Sequence, residues 1–156
     1  MNGMKKLLSA AGWLDIAAAL ACGVASAVMT VFLCISVWND AANSESFIGV
    51  AAIIGVPLIA LFFGFPTVLL FAYCICGAFT LRHARSDGRK KPKGLLVCTA
   101  CAFAAALFYG TVCCSLLYGM GQYAAFAFGL AGLAALGASL VLKAVCCARR
   151  EKGAAL

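Results

Sequence analysis

Asp15 and Lys143 are the charged residues that lie inside long apolar runs of this chain. A charge at that depth needs a partner or a water-filled cavity. Asp15 shares a four-residue stripe with Ala19, Gly23 and Ala27, and Lys143 ends another made of Ala127, Ala131, Ala135 and Ser139. Residues four apart share a helix face, and small side chains let helix backbones approach closely in lipid. The pattern predicts an intramembrane ion pair, Asp15 with Lys143, formed where the first and last helices pack along these two seams. The competing expectation is that Lys143 snorkels to the interface while Asp15 rests near the start of its own helix, favoured by the helix dipole. If the chain transports anything, Asp15 is the carboxylate placed to serve it.

Thiols are the other chemistry-bearing groups. The chain has ten cysteines, at 22, 34, 74, 76, 98, 101, 113, 114, 146 and 147. Cysteine inside an apolar helix ordinarily acts as a small hydrophobe. A sharper reading is a soft-metal site, because several thiols crowd the ends of apolar runs beside basic residues and thiolates select soft ions. Its candidate ligands are Cys98 and Cys101, three apart on one helix face, with Cys74 and Cys146. No histidine lies in the apolar runs to complete such a set. A membrane thiol oxidoreductase is a third reading of the Cys98-x-x-Cys101 spacing, set against it by the end of the helix on which the pair falls. Cys146-Cys147 beside Arg149-Arg150 also suits S-palmitoylation.

No nucleophile–base pair, phosphate-binding glycine loop or zinc-protease motif occurs, so no catalytic role is expected. Hydrophobic residues make up 65% of the chain and charged residues 11%, against about 45–50% and about 25% in soluble domains. The net charge of +7 comes from clusters. That excludes a nucleic-acid surface and points to anionic lipid headgroups as partners of Arg89, Lys90, Lys91, Lys93, Arg149 and Arg150.

The elements that must position these groups are transmembrane helices. Four spans are expected, at about 13–38, 57–81, 95–120 and 123–147, in a single domain covering 1–156. The apolar stretch 47–81 is too long for one straight crossing of a core about 30 Å thick. Pro57 is expected near the start of the second span, with 47–56 an interfacial or kinked piece, and Pro66 is expected to kink the span itself. Ala25-Ser26-Ala27 fits a signal-cleavage site, but the apolar run continues well past it, so an uncleaved span is expected. Lys/Arg residues cluster before the first span, in the basic loop 82–94 and in the tail, and are missing from the segments between the other spans. The positive-inside rule then makes both termini cytoplasmic. Short loops make successive spans neighbours, giving an all-α membrane protein with an up-down-up-down bundle. The functional expectation is an interaction subunit or small permeation component without resident cofactor, self-associating or bound to a membrane-protein partner. A bacterial plasma membrane is expected before a eukaryotic one.

Overall fold

The computed structural model of the chain describes residues 2–42, 48–85 and 93–154, and these are helical almost throughout. α1 is Asn2–Ala42, α2 Ile48–Ile59, α3 Phe65–Ala72, α4 Cys74–Arg85, α5 Lys93–Gly119 and α6 Tyr123–Ala154. The chain's prolines stand at 57, 66 and 92, so α1, α5 and α6 contain none and run unbroken. Among the described residues four helical stretches are long and apolar enough to cross a membrane: Gly3–Asp40, Ile54–Arg85, Lys93–Gly119 and Tyr123–Arg149. α1 begins well before the span expected at 13–38. Its 41 residues would measure roughly 62 Å, about twice the hydrocarbon thickness.

In the proline-bearing stretch the candidate span opens at Ile54, three residues before Pro57. Pro57 lies inside α2, and the backbone stays helical through it. The irregularity comes later, as a single π turn over Ala60–Gly64. Pro66 follows directly, two residues past the π turn in a continuous helical backbone, so the irregular turn falls where proline removes a helical N–H and crowds the preceding turn. A π turn inserts an extra residue per turn and is a recognised cause of helix bending. A second break falls at Tyr73, between α3 and α4, whose N–H points back to the carbonyls of Leu69 and Leu70.

α5 ends in a Schellman motif. Gly121 takes a φ of +71°, the Gln122 N–H donates to the Leu117 carbonyl at 2.9 Å, and the Gly121 N–H donates to Tyr118 at 3.1 Å. Glycine carries no steric cost in this left-handed conformation. The turn is thus closed by backbone bonds alone, and α6 starts two residues later.

α1 is the centre of the assembly. It packs on α6 and α4 and also touches α2, α3 and α5, while α5 packs on α6 and only sparsely on α4. The buried residues of α6 are Ala125, Gly129, Gly132, Leu136, Ser139, Lys143 and Cys146, and those of α1 facing the same seam are Leu8, Ala11, Asp15, Ala18, Cys22, Ala25 and Met29. Both series alternate steps of three and four. That averages 3.5 residues per turn, the period of a left-handed coiled seam. The expected four-residue stripe is therefore not the seam of α6: Ala127 and Ala131 are exposed. Each step of four drifts about 40° around a helix, so such a stripe leaves the interface within a few turns. On α1, Gly23 turns instead to Phe71 of α3.

Candidate functional site

Four buried polar side chains and a tyrosine gather around Asp15. Asp15 and Lys143 are both 0% exposed, and Lys143 Nζ lies 2.5 Å from Asp15 Oδ2. Ser139, one turn before Lys143 on α6, donates its hydroxyl to Asp15 Oδ1 at 2.5 Å. Thr99 of α5 accepts a hydrogen bond from Lys143 Nζ and passes its own proton to the Leu95 carbonyl at 2.8 Å. The Tyr73 hydroxyl stands within donating distance of both Thr99 Oγ1, at 2.9 Å, and Asp15 Oδ1, at 3.2 Å. Thr80 of α4 donates to the Cys76 carbonyl at 2.8 Å and touches Asp15 Oδ2 at 3.5 Å. Hydroxyls that bond back to the carbonyl four residues earlier are satisfied within their own helix, so in lipid they add little desolvation cost.

The local sequence explains the geometry. Gly12 and Gly77 face each other where α1 crosses α4: a Cβ on Gly77 would stand 3.0 Å from the Gly12 carbonyl and 2.6 Å from Ile16 Cγ1. This close approach brings Tyr73 and Thr80 within reach of Asp15. On the other side Gly132 lets α6 approach α1, since a Cβ there would meet Cys22 Sγ at 2.5 Å and the Cys22 nitrogen at 3.0 Å. Asp15 is far from its helix start, because α1 begins at Asn2. The dipole at the N-terminus, felt within about one turn, gives it nothing. Its charge is balanced by Lys143 and by hydroxyl donors. Among the described residues no buried side-chain nitrogen or oxygen lacks a partner. A buried pair of this kind is costly to break, since either charge left alone is stranded in a low dielectric.

The cysteines named as metal ligands are spread apart. Cys74 and Cys98 pack beside the buried cluster of Ala18, Ala19, Tyr73, Ala106 and Leu136, whereas Cys146 belongs to a separate cluster with Leu8 and Ala84. Cys101 is exposed; its offset of three residues from Cys98 is enough to turn it outward. Among the described residues no group of three or more His, Cys, Asp or Glu side chains is placed to hold a metal ion. The closest thiols are Cys76 and Cys98, with Sγ atoms 3.2 Å apart. Of the lipid-headgroup candidates, Lys93 and Arg149 are exposed; Arg89, Lys90, Lys91 and the side chain of Arg150 lie outside the described residues.

A cavity of about 330 Å³ lies between α1, α3, α5 and α6. Tyr73 lines it, so the same ring that bonds Asp15 separates the ion pair from the cavity. The other walls are mostly apolar, among them Phe65, Leu69, Leu70, Ala105, Tyr109 and Leu133. It lies where α3 and α5 stand apart, beside the Cys76–Cys98 and Tyr73–Thr99 contacts. A second polar link, Ser26 with Thr67 at 2.6 Å, fastens α1 to α3 along one wall. Tyr73, Thr80 and Thr99 escape a sequence scan because single hydroxyls in apolar helices carry no spacing signal.

The fold and the site define an all-helical chain with the character of an integral membrane protein, organised around a buried ion pair. Comparison with protein-family models, curated proteins and solved structures gives no match.

Proposed function

We propose that the chain is a non-catalytic interaction subunit of a membrane assembly, with four spans in an up-down-up-down bundle and both termini cytoplasmic. Opposite registers support the bundle order: Asp15 meets Lys143, Cys22 meets Gly132 and Ala25 meets Gly129. The one-sided distribution of Lys and Arg supports the orientation. The observation that carries the functional reading is the inequality of the spans. α1 is embraced on several sides, while the second and third spans touch sparsely and leave an apolar cavity between them. The flank there is broad and apolar, with Val68 64% and Phe108 74% exposed. The sealed ion pair weighs against a permeation component, since a conducted ion or proton needs access to its carrier.

The test is photocrosslinking in native membranes from a diazirine side chain at Val68 or Phe108, with Val141 on the outer face of α6 as reference. Adducts to a second copy or to another membrane protein, formed from the first two positions and not from Val141, are the expected result. Lipid adducts alone, with a monomeric mass in mild detergent, would overturn the reading. Bound thiophilic metal in the same preparation would favour a soft-metal protein instead.

A further inference from the structure

We infer that Cys76 and Cys98 form a reversible thiol–disulfide site that fastens the second span to the third. Their sulfur atoms are 3.2 Å apart across two helices that otherwise touch sparsely. Cys76 and Cys98 are each half-buried, not enclosed in the bundle core, which leaves them open to a small membrane-permeant reagent. Cys76 is six residues before Arg82 and Cys98 is five after Lys93, which puts both thiols roughly 8–9 Å along the helix from the basic ends. Bond formation asks for a movement of roughly 1 Å from the present separation, small for two sparsely packed helices.

The chemistry closes on itself. The two thiols lose two protons and two electrons, an Sγ–Sγ bond forms, and a two-electron acceptor takes up both. A diazenedicarboxamide leaves as its hydrazine, or a bilayer quinone as its hydroquinone. Exchange with a dithiol reverses the step through a mixed disulfide. On the orientation proposed above the pair lies towards a reducing compartment, so its resting form is the dithiol. Oxidation joins the spans beside Tyr73 and Ala102, which line the cavity about one helical turn away. The bond thereby ties two sparsely packed helices together beside the cavity. Two thiols without a third ligand are a poorer home for a metal ion than for a disulfide.

The experiment uses the full chain in membranes, treated with diamide, denatured in SDS and alkylated with N-ethylmaleimide. The reduced protein has ten thiols to alkylate; the oxidised protein is expected to show two fewer adducts, with mapping joining the peptides that carry Cys76 and Cys98. Cys76→Ser and Cys98→Ser should each keep every remaining thiol after diamide, while Cys74→Ser should still lose two. Mapping of the wild-type protein alone decides the matter should a variant fail to fold. A full set of adducts after diamide, a linkage between other cysteines, or loss that persists in Cys76→Ser would overturn the assignment. This outcome does not depend on which side of the membrane the termini occupy, so it is separable from the topology.

Discussion

At the scale of residues, what stands out is how few charges the interior contains and how completely they are used. Asp15 and Lys143 are visible in the sequence because they interrupt apolar runs. Their shared burial and 2.5 Å separation explain how a membrane interior tolerates them. Asp15→Asn leaves Lys143 without its counter-charge, and Lys143→Met does the reverse. Each single change is expected to destabilise the folded state by about 3–5 kcal/mol. The double variant should be more stable than either single one, with a coupling above about 1 kcal/mol. The measurement is a thermal-stability cycle in detergent, and purely additive losses would show that the pair contributes nothing. The supporting hydroxyls were not legible beforehand. Thr99 and Thr80 are surrounded by apolar neighbours with nothing in their spacing to single them out, and Tyr73 comes within reach of Asp15 through the close approach of Gly12 and Gly77. Cys74 and Cys76 are two residues apart and so point to different faces of their helix, and it is Cys76 that stands against Cys98.

At the scale of elements, the existence of apolar helices was plain from the sequence, while their ends and contact faces were not. Hydropathy marks which residues lipid tolerates, but a helix continues until something stops it. Nothing between Asn2 and Ala42 does so, and α1 accordingly extends beyond its apolar core at both ends. A four-residue repeat of small residues was equally poor at finding the α6 seam, because the real seam alternates threes and fours through Gly129, Gly132, Leu136 and Ser139. The decisive glycine is Gly132. A Cβ there meets the backbone nitrogen of Cys22 at 3.0 Å and the Ala18 carbonyl at 3.2 Å, neither of which can rotate away. Gly132→Ala is therefore expected to lower stability by about 1–3 kcal/mol, the usual range for overpacking. Gly64→Ala meets nothing within 4 Å and should change stability little, despite its place at the end of the π turn. Parallel melting curves in one detergent test the contrast. Equal effects at both positions would mean that the α1–α6 approach is looser than the structure has it.

At the scale of the whole molecule, charge governs placement in the bilayer. Of the twelve Lys and Arg residues, two precede the main apolar run of α1, six fall between 82 and 93, one is Lys143 and three lie in the tail. Lys143 is neutralised inside the bundle, so it does not vote on orientation; the other eleven do. An odd number of crossings between the start and the central basic segment would put like clusters on opposite sides, against the free energy that holds cationic segments on one face. On the proposed topology, in which each of the four candidate spans crosses once, two crossings lead to that segment and two more to the tail, so every cluster falls on the same side. Single cysteines introduced at Ser44 and at Ser86 into a cysteine-free background test this directly with an impermeant maleimide on intact cells. Labelling is expected at Ser44→Cys and not at Ser86→Cys until the membrane is opened. The reverse result would turn the molecule over while keeping its spans. Labelling at both positions would mean that the stretch Ile54–Arg85, with its π turn and its break at Tyr73, fails to cross the membrane as a single span.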